Sequence, residues 1–205
     1  MNRIQSYIYS FMLLALICPN NLYAQAVSGT LNGHDYVDLG LSVKWATCNV
    51  GANRPSDYGN YYAWGETSTK STYAAANSKT YEKDVGAIKG NSRYDAARAN
   101  WGGTWRLPTG AEVQELVDKC TWKWITRGGH KGYKVTGPNG NSIFLPAAGL
   151  RYASMFDNVG DGGDYWTSTF EGNIYGAYEL YFSSSEYELA WNYRMWGYSI
   201  RPVTR

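Results

Sequence analysis

Between residues 151 and 205 stand 14 aromatic side chains, accompanied by seven carboxylates and no lysine. Rings are large and mostly apolar, so a small domain must either bury them or present them to a partner. In residues 176–182, Tyr178, Leu180 and Phe182 take one side of an extended chain, while Ala177, Glu179 and Tyr181 take the other. Further on, Tyr187, Trp191, Tyr193, Trp196 and Tyr198 interleave with Ser184, Ser185, Asn192 and Arg194. One sheet face and its loops cannot hide all of these. A ligand-binding surface patch is therefore expected from Tyr152, Phe156, Tyr175, Tyr181, Tyr187, Trp191, Tyr193 and Trp196. Tyr and Trp give much contact area at little entropic cost and keep one polar handle each. Trp101, Trp105, Trp166, Phe182 and Ile200 are expected in the core instead.

The opposite end reads as an export signal. Met1-Asn-Arg-Ile precedes an apolar run over 7–18, and Leu22-Tyr-Ala-Gln-Ala26 offers small residues for cleavage after Ala24 or Ala26. The run is shorter than the roughly 20 residues of a membrane span. Residues 1–24 are thus expected to be a signal peptide and 27–205 a single domain, secreted, periplasmic or on the outer surface. A lipid anchor on Cys18 is the weaker alternative, because bulky Ile17 precedes it and Pro19 follows. A formal net charge of +2 without any Lys/Arg block argues against nucleic acid or an anionic membrane as partner. After export two cysteines remain, Cys48 and Cys120. In an oxidising compartment an even pair is expected to close a disulfide, which would stabilise by roughly 4 kcal/mol in the chain-entropy model.

Along the chain, Leu41, Val43, Trp45 and Thr47 alternate as a half-buried strand does. Residues 51–93 dissolve into Gly, Ser, Asn, Thr and Tyr, with an apolar island at Tyr61-Tyr-Ala-Trp-Gly65 that should pin a long loop to the core. Residues 94–100 read as a short helix. Thr109 and Glu112 form a capping box, and Val113, Leu116, Val117 and Cys120 recur on one face, predicting a helix over 110–123. Gly137-Pro-Asn-Gly-Asn141 is turn chemistry between strands at 133–136 and 142–145, and strand candidates follow at 165–170, 176–182, 186–192 and 197–203. The order suggests an α+β domain.

Tyr36-Val-Asp-Leu-Gly-Leu-Ser-Val-Lys-Trp-Ala-Thr-Cys-Asn-Val-Gly-Ala52, Tyr61-Tyr-Ala-Trp-Gly-Glu66, Ala99-Asn-Trp-Gly-Gly-Thr-Trp-Arg-Leu-Pro-Thr109, Leu145-Pro-Ala-Ala-Gly149, Tyr165-Trp-Thr-Ser-Thr169 and Ser199-Ile-Arg-Pro-Val203 carry a likeness. They resemble the Fibrobacter succinogenes major paralogous domain, a Bacteroidetes family similar to the C-terminal domain of the Legionella collagen-like adhesin. The resemblance implies a C-type-lectin-like fold, two helices flanking a small twisted mostly antiparallel sheet. It does not extend to the enzymes sharing that fold, because the late region has no Cys and His34 and His130 lack iron-site spacing. The Glu-Pro-Asn and Trp-Asn-Asp motifs of calcium-dependent lectins are missing too.

Common catalytic templates fail: no Gly-x-Ser-x-Gly, no phosphate loop, no His-Glu-x-x-His and no Cys-x-x-Cys. Asp157, Asp161 and Asp164 share a loop, but Val159 and Ser168 break an EF-hand frame, so neither metal nor cofactor is expected. The expected function is non-catalytic binding of an extracellular glycan or protein. One alternative is a structural subunit or tip component of a surface assembly. The other is a hydrolase using Glu186 and Glu188, which alternate on a strand candidate about 7 Å apart.

Overall fold

A computed structural model describes residues 27–170 and 172–205. The expected signal segment, its cleavage positions and Cys18 lie outside the described residues. The N-terminal part supplies β1 (Gly29–Leu31), β2 (His34–Val37) and β3 (Lys44–Ala46). A long irregular stretch with one 3-10 turn (Ala75–Asn77) leads to α1 (Ala96–Trp101) and α2 (Gly110–Lys119). Then come β4 (Thr121–Arg127), β5 (His130–Thr136), β6 (Ser142–Pro146), β7 (Leu150–Tyr152), β8 (Met155–Asp157), β9 (Gly162–Trp166), β10 (Gly176–Ser183), β11 (Tyr187–Tyr193) and β12 (Val203–Thr204). No described helix is long and apolar enough to cross a membrane.

The expected α+β, C-type-lectin-like arrangement is overturned. Helix makes up 11% against 37% strand, and the strands form four small antiparallel sheets instead of one sheet flanked by two helices. Their orders are β1-β2-β3-β12, β11-β10-β9, β4-β5-β6 and β7-β8. Part of the reason is local. The capping box forms, with Thr109 Oγ1 accepting from Glu112 N at 3.2 Å and Glu112 Oε2 accepting from Thr109 N at 2.8 Å. Yet α2 stops at Lys119, because Cys120 is extended (φ −102°, ψ 156°) and the next residues, Thr121-Trp-Lys-Trp-Ile-Thr126, are mostly aromatic or β-branched. β-Branched and aromatic residues favour a strand. Trp122 and Trp124 accordingly pair with Val135 and Tyr133 of β5.

Two apolar clusters fill the interior. The first joins Trp45, Val113, Leu116, Tyr133, Ile143, Leu145, Leu180 and Phe182, so it cements α2 and the sheets of β3, β5 and β10. The second gathers Tyr62, Trp64, Trp101, Trp105, Trp166, Tyr198 and Ile200. The apolar island does pin the long loop: Tyr62 exchanges backbone bonds with Tyr198, and the Trp64 indole donates to Thr167 O at 2.9 Å. Every aromatic assigned to the core from sequence, together with Ile200, is buried. β10 runs between the clusters, sending Leu180 and Phe182 into the first and Ala177 into the second.

Two charged groups weld these layers. Arg106 grips both Glu112 oxygens at 2.6 and 2.7 Å, which fixes the start of α2 against the chain before it. Arg201 is buried and donates to Asn49 Oδ1 and to the carbonyls of Ala46, Thr47 and Phe144 at 2.8–3.1 Å. Planar guanidinium groups suit such divergent acceptors.

The expected Cys48–Cys120 disulfide is also corrected: both are free thiols. Cys120 directly precedes β4, while Cys48 lies within electrostatic reach of Arg127 at the far end of that strand. Seven extended residues span about 20 Å, whereas a disulfide needs Cα atoms within about 7 Å. Burial pushes the half-buried Cys120 thiol up to about 11, with the Glu115 charge adding to it, which disfavours the nucleophilic thiolate at neutral pH. Dithiothreitol should leave the melting temperature of the 27–205 domain unchanged; a drop of several degrees would show that a bridge exists.

Candidate functional site

The exposed rings gather where the β9-β10-β11 sheet meets the β7–β8 hairpin and the loop around Tyr81. Tyr193, the last residue of β11, is the hub. Its ring centroid lies 5.7 Å from Trp191, 5.6 Å from Trp196 and 6.4 Å from Tyr81. Tyr81 in turn meets Tyr175 at 5.5 Å, and Trp196 meets Tyr152 at 5.9 Å. Interplanar angles from 62° to 79° make every one of these contacts edge-to-face, a favourable aromatic geometry. The result is a continuous corrugated strip of six rings, of which Tyr152, Tyr175, Trp191 and Tyr193 are 37–47% exposed.

Glycine shapes its floor. Trp191 lies across Gly176, where a Cβ would sit 2.1 Å from the indole, so only a bare backbone lets the ring lie against β10. Behind Tyr193 stands Arg194, 1% exposed. Its guanidinium donates to the carbonyls of Gly176, Lys83 and Asn173 at 2.8–3.1 Å. It also stacks 4.1 Å over the Trp64 ring and 4.8 Å over Phe170. Burial pulls its ionisation down to about 10, which still leaves it charged at neutral pH. One side chain thus ties together the segments that carry Tyr81, Tyr175 and Tyr193.

Beneath the strip lies a buried acid pair, Asp164 of β9 and Glu179 of β10. Asn192, between the two exposed rings of β11, donates to Glu179 Oε1 at 3.1 Å. Asp164 and Tyr198 couple electrostatically to Glu179, but no donor reaches its Oε2 in full hydrogen-bonding geometry. Burial, before all else, raises the Asp164 carboxyl to about 7 and drives Glu179 well above the carboxylate range, with the Asp164 charge adding to the second. An acid pair in this state shares a proton rather than carrying two charges.

Not every expected ligand-binding residue joins the strip. Tyr187 stacks on Trp122 at 4.4 Å and 11°, at the rim of the first core cluster. Tyr181 is half-buried and reaches toward Glu186 at 3.5 Å. Phe156 pairs with Arg151 across the β7–β8 hairpin and faces a separate cleft of about 290 Å³. Tyr81, Arg194 and the Asp164–Glu179 pair were missed; their sequence signals are single residues with no spacing to mark them. Glu186 lies in the turn before β11 and Glu188 on its exposed side, so the two do not converge on a cleft lined by the described residues. Asp161 pairs with Lys131 at 3.3 Å and Asp164 points inward. Among the described residues no group of three or more His, Cys, Asp or Glu is placed to hold a metal. Scanning protein-family models yields no match, and searches of curated proteins and of solved structures yield none either.

Two outcomes follow from the clamp and the acid pair. Arg194→Lys keeps the charge but loses the planar fork, so it should cost about 2–4 kcal/mol of stability in urea titrations. It should also flatten the near-ultraviolet dichroism of the strip; an unchanged midpoint and spectrum would dismiss the clamp. The folded chain keeps protons on Asp164 and Glu179 at pH values where the unfolded chain has released them. Their contribution is complete below about pH 4 and declines as pH rises through about 7. Glu179→Gln should therefore gain on the wild type by a few kcal/mol between pH 5 and pH 8, measured by chemical denaturation. Parallel stability profiles for both proteins would show that the pair is ionised when folded.

Proposed function

We propose that this chain is an exported, non-catalytic binding module that holds an extracellular glycan or protein against the strip of Tyr152, Trp196, Tyr193, Trp191, Tyr81 and Tyr175. The observation that carries this reading is ring-to-ring continuity ending in open surface. Four of its large rings, Tyr152, Tyr175, Trp191 and Tyr193, are held exposed. Edge-to-face contacts and the Arg194 clamp fix the rings in advance, so a ligand meets a surface that has already surrendered its rotamer freedom. Such pre-ordered Tyr and Trp are the usual anchors of recognition surfaces. The motif likeness to the Fibrobacter domain and the N-terminal signal pattern both support a role outside the cytoplasm.

The deciding experiment is a glycan and host-protein array probed with wild type and a Trp191→Ala/Tyr193→Ala variant of matching melting temperature. The variant should lose at least about tenfold in affinity for whatever the wild type retains, since anchors of this kind carry more than 1.4 kcal/mol each. Equal retention by both proteins would remove the strip as the site. Stable oligomers in sedimentation that the same variant dissolves would identify the ligand as a protein partner in an assembly.

A further inference from the structure

The β7–β8 hairpin has two faces. Tyr152 and Met155 pair on one, toward the strip, while Arg151 and Phe156 pair on the other. That second face closes a cleft of about 290 Å³ against Tyr61, Lys70 and Tyr73, with Thr69 at its edge. The Arg151 guanidinium lies 4.6 Å from the centre of the Phe156 ring and 5.3 Å from that of Tyr73. Backbone carbonyls of Lys70, Ser71 and Ser154 accept from its two terminal nitrogens at 2.9–3.4 Å.

Charge accounting is the telling feature. Lys70 is neutralised by Glu66 at 2.9 Å, but Arg151 makes no ion pair among the described residues. The cleft therefore carries one uncompensated positive charge held between ring faces. Donors remain as well. Of the two N–H groups on Arg151 Nη1 one is committed, and of the three on Lys70 Nζ two are, to Glu66 and to Asn77 O. The Thr69 hydroxyl makes no hydrogen bond among the described residues. The hydroxyls of Tyr61 and Tyr73 are already spent on Ala148 O and Tyr61 O, so those residues offer only ring surface.

We infer that this cleft is a second binding site, which takes a carboxylate carried on a six-membered ring. Its volume suits one ring, at the small end of ligand pockets. The carboxylate would accept from Arg151 Nη1, Lys70 Nζ and Thr69 Oγ1, while the ring body lies on Phe156. Charge-assisted bonds of this kind are about twice as strong as neutral ones. Two sources share the chemistry, an acidic sugar and an aromatic acid. The site is independent of the aromatic strip, from which the hairpin separates it.

Titration calorimetry with a uronic-acid trisaccharide, its neutral counterpart and benzoate tests the assignment on the 27–205 chain. At least one acid should bind, about tenfold or more tighter than the neutral sugar, and the tighter of the two names the source. Arg151→Gln should abolish that preference. Because Arg151 also holds three backbone carbonyls, Thr69→Glu serves as the second variant: it is exposed, and it places a carboxylate where the ligand's would sit. It should abolish acid binding with no change in melting temperature. Trp191→Ala/Tyr193→Ala should bind the acid as the wild type does, whatever happens to the array ligand. Binding of neither acid, equal binding of acid and neutral sugar, or an unaffected Thr69→Glu each overturns the second site and leaves the strip untouched.

Discussion

A buried guanidinium that makes no ion pair among the described residues holds the recognition surface together. Arg194 is solvated by carbonyls of Gly176, Lys83 and Asn173 and by the faces of Trp64 and Phe170. Burying a charge without a counter-ion is unfavourable unless its whole hydrogen-bonding fork is met. The chain meets it with backbone from two separate segments, one around Lys83 and one holding Asn173 and Gly176, and that requirement fixes how they sit against Arg194. Tyr81 and Tyr175 belong to those two segments and Tyr193 precedes Arg194 itself, so the placing of these three rings follows from the demands of one cation. A lysine carries the charge but not the flat, forked donor set.

Local chemistry was legible wherever neighbours in sequence are also neighbours in space. The Thr109–Glu112 capping box, the turn over 137–141 and the strands of β10 and β11 all stand where the pattern places them. The fold class was not legible in the same way. Whether strands join one sheet or four depends on partners distant in sequence, such as Val203 opposite Trp45 and Arg106. The run Thr121–Arg127 shows how the reading of a helix past Lys119 went astray. Val113, Leu116, Val117 and Cys120 continue a helical stripe, but the tryptophans that follow find better burial against Tyr133 and Val135. Tertiary pairing outweighed the local period.

The candidate site was half visible for a related reason. Alternation puts Tyr187, Leu189, Trp191 and Tyr193 on one side of β11, and the structure agrees. Alternation does not say where along the strand a helix ends. The Gly110 end of α2 lies over Leu189, near 3.6 Å from where a Cβ of that glycine would be, and Tyr187 is covered by Trp122. Beyond that point the face is only partly covered, leaving Trp191 37% and Tyr193 41% exposed. Trp191 and Tyr193 are therefore exposed because the sheet outruns its cover, a length relation between two elements that composition cannot reveal.

The buried acid pair shows what the strip demands of its support. Two carboxyls in an apolar interior oppose folding, and hydrophobic residues of the same size would fill the space more favourably. Glu179, however, holds Asn192 from below, and Asn192 is the residue between Trp191 and Tyr193. An apolar residue at 179 would leave that amide free to turn and β11 free to twist at the point where its two outward rings must stay aligned. The pair sacrifices stability at the single register position where it fixes the exposed rings. Folds tend to place such exceptions where they function. The position of this exception, directly under the strip, is independent physical support for the strip as the working surface.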